Sequence, residues 1–365
     1  MAKFNSENER IKRRYLEWER EANGKSNSTI ENIRNYIYLY DEFTKFKNFK
    51  LFNKNDAIAF KKHLAQKKAR YSNQPVSKIY LFHAVKSVGN CLKWLYTQPG
   101  YRSKIDLTQV AYLNLQEKDV QIARTVKTKR FPTLEQIESV VKNMPADTEV
   151  QKRDRALIAF LALSGGRVTA IVSLKLKHIF LDDERIEQHP QEVKTKYSKK
   201  IITYFFPVGD FLKKIFIDWV NFLKQEKLFD HNAPLFSNTK LSLDGNDQFS
   251  RQGLDSIPWK STTSIRTIIK ESFNAAGLEY YNPHSFRNTV VQLGYKFCKT
   301  PEEFKAWSQN LGHSSPLTTF TSYGHIEEYN QGAIIKRLGK DDVDKPLTMN
   351  NLRQILLQNK IIHQN

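Results

Sequence analysis

The stretch 282–326, NPHSFRNTVVQLGYKFCKTPEEFKAWSQNLGHSSPLTTFTSYGHI, constrains the fold most, because its start and stop residues say where helices can lie. Thr300 can N-cap a helix, with Pro301 at its first position and Glu303 closing a capping box. This helix runs over 302–311 and stops at Gly312, a residue suited to a left-handed C-terminal turn. The turn delivers His313. Ser315 and Pro316 open a second short helix in the same manner, and Tyr323 stands at its far end, ten residues after His313 and directly before Gly324. On the preceding helix His284 and Arg287 are three apart and share one face.

An Arg, two His and a Tyr, with no cluster of carboxylates or cysteines and no His-Glu-x-x-His spacing, point away from a metal site. They suit a phosphodiester. Arg forks a phosphate bidentately, His moves protons near neutral pH, and Tyr can act as a covalent nucleophile. Each alone reads more simply as a surface pair or a packed ring; their order and spacing give the set its weight.

The net charge of +20 asks for an acidic partner and is unevenly spread. Residues 1–130 hold 27 Lys and Arg against 12 Asp and Glu, an excess of fifteen, and the remainder holds an excess of five. A basic module joined to a nearly balanced one suggests that the first grips nucleic-acid phosphates. That module reads as all helical: a charged helix over 7–21, one capped by Ser28 and Thr29, another over about 55–67, and a clear fourth after Pro75. In the fourth, Leu81, Val85, Val88, Leu92 and Leu95 form one apolar stripe, and Lys78, Lys86, Asn90 and Lys93 lie on the other side, a face suited to a groove or a phosphate rail. Arg124, Lys127, Lys129 and Arg130 make a basic linker before Pro132. Thr133 with Gln136 then boxes the start of a helix, and 179–208 reads as the only convincing β segment, with QEVKTK and IITYFFPV around the turn YSKK as a hairpin. The rest, 209–281, reads as helix and loop, with a polar stretch at 237–256 that looks like an insertion. Composition, 40% hydrophobic and 12% aromatic, allows real cores. Cys91 and Cys298 fall in helical patterns and read as buried thiols of a reducing compartment. With no signal peptide and no run of 18 apolar residues read, a cytoplasmic, nucleoid-associated protein without a membrane partner is expected.

His-x-x-Arg at 284–287, Leu-Gly-His-Ser at 311–314, Thr-Thr and Tyr323 together resemble the C-terminal signature of the tyrosine recombinases, the phage integrase family. The glycine pair before Arg167 resembles the Thr-Gly-x-Arg of that family's first catalytic arginine. The resemblance implies a mainly α fold with a small β-hairpin or sheet, in two domains: an all-helical SAM-like core-binding domain (1–122) and an integrase-type catalytic domain (133–340). A basic linker (123–132) joins them, and a C-terminal tail (341–365) follows. It implies that Arg167, Lys194, His284, Arg287, His313 and Tyr323 are catalytic, with Lys196 an alternative to Lys194, since alternate residues share a strand face. It further implies strand exchange by a homotetramer on two duplex attachment sites, from a monomer or dimer in free solution, with no metal or cofactor and with room for a DNA-bending or directionality factor. Two departures stand out. Ala170 occupies the place where the family commonly has Glu or Asp, and the interval from His313 to Tyr323 is ten rather than nine. A type IB topoisomerase or resolving enzyme, or a non-catalytic DNA-binding relative, are the other readings. The tail carries Leu352, Ile355, Leu356, Ile361 and Ile362 near helical spacing; a short helix of this kind needs a groove, on its own domain or on a neighbouring subunit.

Overall fold

The computed structural model describes residues 4–69, 73–124, 130–195, 199–243 and 249–313, with 241–243 and 249–252 described by their backbone alone. The chain divides into two compact units, Met1–Lys127 and Thr128–Asn365.

The first unit is helical: α1 (Ser6–Glu21), α2 (Asn27–Phe43), α3 (Lys54–Gln66), α4 (Lys78–Tyr96), the short α5 (Leu107–Val110) and α6 (Glu117–Arg124). Side chains satisfy the orphan N–H groups at the helix starts. Asn5 accepts from Glu7 and Asn8, Asn53 and Asp56 form a full capping box, and Ser77 accepts from Tyr80. The cap of α2 is Ser26, not the expected Ser28 and Thr29. Ser26 has extended backbone, and its hydroxyl reaches the Thr29 N–H, so the helix starts earlier. The apolar stripe of α4 is buried along its whole length, from Leu81 to Leu95, and meets a core that includes Tyr40, Phe60 and Trp94.

The second unit is built round α8 (Glu149–Ser164), which is buried without a break over 156–164 and so reads as apolar on all sides. Around it pack α7 (Leu134–Asn143), α10 (Asp210–Asn221), α11 (Thr263–Ala275) and α12 (Pro283–Phe297), with α9 (Val168–Ile171) directly after it and α13 (Pro301–Asn310) against α12. Two small antiparallel sheets complete the unit: β1 (Ile179–Phe180), β2 (Arg185–Gln188) and β3 (Ile201–Tyr204) in that order, and a ribbon of β4 (Ser237–Leu243) with β5 (Phe249–Pro258). The capping boxes expected at Thr133 and Thr300 are both present.

Three local expectations are corrected. The partner of β3 is β2, from Gln188 opposite Ile201 to Arg185 opposite Tyr204, and not 191–196. Pro190 has no N–H to give a ladder, and the chain turns instead, with the Glu192 and Val193 N–H groups both donating to the His189 carbonyl. Lys194 is therefore on a loop and not on a strand face. The segment 237–256, in a region expected to be helix and loop, forms most of the β4–β5 ribbon. Its polar, Gly-containing strands show no apolar alternation, and buried contacts from α8 hold it: Arg153 donates to the Ser237 carbonyl at 2.8 Å and to Thr239 Oγ1 at 3.1 Å, and lies over the Trp259 ring. Cys91 is buried, but Cys298 caps α12 and is half-exposed. No helix among the described residues is long and apolar enough to cross a membrane.

Candidate active site

The end of α8 makes the first wall. Gly165 takes φ +54°, and a Cβ there would come within 2.9 Å of the Leu311 side chain, so conformation and packing both require glycine. Ser164 Oγ accepts from the Gly166 N–H at 3.1 Å and holds the next peptide. The chain then enters Arg167, the half-buried N-cap residue of α9, and three residues later Ala170 is buried.

The second wall is α12. Asn282 caps it, Pro283 occupies its first turn, and the His284 N–H donates to Asn282 Oδ1 at 3.0 Å. His284 is exposed, whereas Arg287, nearly one turn on, is only 2% exposed. The shared helix side expected from their spacing thus runs from solvent into the interior. Arg287 Nη1 donates to the Gly165 carbonyl at 2.8 Å. Its Nη2 donates to the Leu311 carbonyl and, at 2.7 Å, meets His313 Nε2. Arg is a donor only, so His313 Nε2 is the acceptor and the ring proton of that imidazole sits on Nδ1.

The third wall is the turn after α13. Gly312 takes φ +72°, and a Cβ there would come within 2.9 Å of Ile201 on β3. His313, 7% exposed, is held by its N–H to the Ser308 carbonyl at 3.2 Å. Asn310, which sequence reasoning missed, fastens this turn to the sheet. Its Oδ1 accepts from the Tyr204 N–H at 2.7 Å, its Nδ2 donates to the Tyr204 carbonyl at 2.9 Å, and its own carbonyl accepts from Thr203 Oγ1 at 2.9 Å. One carboxamide thus imitates a neighbouring strand on the free edge of β3. No sequence signal marks this role, since Asn at a helix end is ordinary.

Arg287 therefore brings the Gly165 turn that leads to Arg167 together with the turn that carries His313. Lys194 is exposed, and its N–H donates to Ser173 Oγ at 3.0 Å, in the turn that ends α9. Tyr323, Lys196 and the tail 341–365 lie outside the described residues. Among the described residues no group of three His, Cys, Asp or Glu could hold a metal ion.

In the first unit, Lys86, Asn90 and Lys93 are exposed on α4 and, with Gln121 and Arg124 of α6, line a groove of about 570 Å³ that has Val85 in its floor. Lys78 is exposed too but is engaged with Asp119 of α6 at 2.8 Å. Arg130 is exposed and pairs with Glu279 at 3.3 Å. Lys127 and Lys129 lie outside the described residues.

Residues 130–330 match the phage integrase family, and the chain belongs to that family. Its fold is similar to those of three DNA-bound solved structures. XerH site-specific recombinase on its palindromic difH substrate has a TM-score of 0.60 at 16% identity, covering 92% of this chain and 85% of that one. A lambda integrase (75–356) dimer on a COC′ core site has 0.59 at 11%, covering 93% and 99%. The Tn1549 transposon integrase with transposon right end DNA has 0.57 at 16%, covering 90% and 99%. No curated protein sequence matches the chain.

Proposed function

We propose that this chain is a site-specific DNA recombinase of a mobile element, which cuts and rejoins DNA through a 3′-phosphotyrosyl link at Tyr323. The observation that carries the reading is the buried fork of Arg287, bonded at once to the Gly165 carbonyl, the Leu311 carbonyl and His313. It fixes two of the family's motif segments against a third.

In this reading the Tyr323 oxygen attacks a DNA phosphorus. The new Tyr–phosphate bond forms as the bond to the 5′-oxygen breaks. A free Tyr has a pKa of about 10, so His284, exposed at the start of α12, takes the phenolic proton. Arg167 and Arg287 stabilise the charge that grows on the non-bridging oxygens, and His313 adds a hydrogen bond there. Lys194 gives a proton to the departing 5′-oxygen. Attack by another strand's 5′-hydroxyl reverses these steps and reseals the backbone, so bond energy is kept in the protein–DNA link. The groove face of Lys86, Asn90, Lys93 and Arg124, with Arg130 and the linker lysines, holds the duplex. Four copies on two sites exchange strands, and residues 347–362 dock on the neighbouring copy.

The test is to trap the protein on a pooled library of suicide duplexes, whose cut strand diffuses away, and to map the bound end. The expected product is an adduct resistant to SDS on a 3′-phosphate, with a free 5′-hydroxyl on the released strand. An adduct on the 5′ end, or none on any duplex, overturns the reading. Exchange between two sites, assayed with the same duplexes in pairs, separates recombination from relaxation of a single duplex.

A further inference from the structure

We propose that Ser173 and Glu192 are positioning residues that clamp the main chain at Lys194 against the turn following Arg167. The lysine ammonium then works from a fixed base. The inference rests on the reading of Lys194 as the general acid.

Three anchors lie within three consecutive residues. The Glu192 carboxylate meets Lys177 Nζ at 2.5 Å and His178 Nε2 at 3.1 Å, with Lys175 Nζ at 3.9 Å. Val193 is 1% exposed and belongs to the core of the second unit. The Lys194 N–H then donates to Ser173 Oγ at 3.0 Å. Each bond is chemically consistent with the next. His178 Nδ1 accepts from the Lys175 N–H at 3.0 Å, so the proton of the neutral ring is on Nε2 and faces Glu192. The Ser173 hydroxyl has one proton, which goes to the Ala170 carbonyl at 2.8 Å, leaving its lone pairs for the Lys194 N–H.

Glu192 stands at the surface beside two half-exposed lysines, where water screens an ion pair. Its bonds to Lys177 and then His178 pull the carboxyl down to about 2, so it is ionised at any working pH. What the anchors do achieve is geometric. The peptide of Lys194 is fixed relative to Ala170 and Ser173, three and six residues after Arg167. Ala170, where the family commonly has an acid, contributes its carbonyl to this chain of bonds. Lys194 itself is exposed, and in this proposal its side chain alone moves to reach the substrate.

The experiment compares single-turnover cleavage, at saturating protein, of two matched duplexes. One has the ordinary 5′-oxygen leaving group. The other has a 5′-sulfur, which departs without a proton. Lys194→Ala is the reference and should lose most on oxygen and recover on sulfur. Ser173→Ala and Glu192→Gln should each slow oxygen cleavage by about tenfold, the change for roughly 1.4 kcal/mol of barrier, and leave sulfur cleavage within about twofold. Ser173→Thr, which keeps the hydroxyl, should restore the oxygen rate. Equal losses on both duplexes would mean a general distortion and overturn the clamp, as would no loss on either. If Lys194→Ala itself is not rescued by sulfur, the general-acid reading fails, and the clamp fails with it; the reference variant shows which of the two has gone.

Discussion

Lys12 in the first unit and Arg287 in the second are both charged and almost wholly buried, at 4% and 2% exposure. Their surroundings differ in kind. Lys12 meets Glu9 at 2.6 Å and Asp41 at 2.9 Å, and Asp41 also accepts from Asn8 at 2.7 Å. These are charges of opposite sign on α1 and α2, closed on one another. Burial pulls the Lys12 ammonium down, and the bonds to Glu9 and Asp41 together outweigh it, so its pKa lies above the usual lysine value. Arg287 instead binds two main-chain carbonyls and an imidazole, neutral acceptors that fix the plane of the fork. The first arrangement makes two neighbouring helices stick. The second orients a cation between segments far apart in the chain, as binding a phosphate would need.

The contrast can be broken where the chemistry is concentrated. Tyr323→Phe removes one oxygen and should abolish the covalent adduct while leaving DNA binding intact. An adduct that persists would pass the nucleophile's role to another Tyr, with Tyr280, Tyr281 and Tyr295 next in line. Arg287→Lys keeps a positive charge and loses the fork. Cleavage should fall by about 10²–10³, the scale of removing one transition-state donor. Thermal unfolding should show a loss of about 2 kcal/mol from carbonyls left without their donor. A stability loss with normal cleavage would make Arg287 a strut and nothing more.

Asp41→Asn tests the other side. It leaves the buried Lys12 with only the half-exposed Glu9 as a counter-charge and should cost the first unit about 3 kcal/mol. The rate of cleavage in the bound complex should not move. The pH dependence sharpens the point. The pKa of Lys12 is raised above 10.5, so its contribution is fully present below pH 10.5 and is lost as pH rises through the higher folded value. Asp41→Asn should flatten that alkaline loss, measured by denaturation between pH 9 and about 12.

The two units were also unequally legible. The helices of the first unit follow from caps and from the stripe of α4, because burial on one helix face leaves a period in the sequence. The second unit hides its framework. α8 is buried on all sides and shows no stripe. The β4–β5 ribbon rests on Arg153 and Trp259 rather than on alternating apolar residues. β2 ends before Pro190, so 191–195, expected as strand, is the loop that carries Lys194. Spacing and resemblance singled out Arg167, His284, Arg287 and His313 as candidates, and of these the structure joins Arg287 to His313 and to the Gly165 turn before Arg167. Their contacts were not legible, because Gly165, Leu311 and Asn310 act through main-chain groups or a single amide that every sequence contains.

In the first unit, Lys86→Ala, Lys93→Ala and Arg124→Ala combined should weaken binding without slowing cleavage at saturation. If each contacts a phosphate, the slope of log K against log salt should fall by about 0.9 per residue removed. An unchanged slope would take the α4–α6 groove out of the DNA interface, and a slower saturated rate would show that the two units do not divide the labour as described.

Asn310→Ala carries the smallest effect and the finest distinction. The variant frees both polar groups of Tyr204 on the edge of β3, while the Thr203 hydroxyl keeps its bond to the residue 310 carbonyl. Two hydrogen bonds of about 1 kcal/mol each are at stake, and water can replace them at an exposed edge. Stability should therefore change little. The turn of His313 loses one of its ties to β3 but keeps the Arg287 bond and the close packing of Gly312 on Ile201. Saturated cleavage should fall by roughly tenfold, a barrier change of about 1.4 kcal/mol. A 5′-sulfur leaving group should not rescue it, because the fault lies at His313 and not at the general acid. Rescue by sulfur would mean that the strand edge positions Lys194 instead, and the sheet would then belong to the other half of the site.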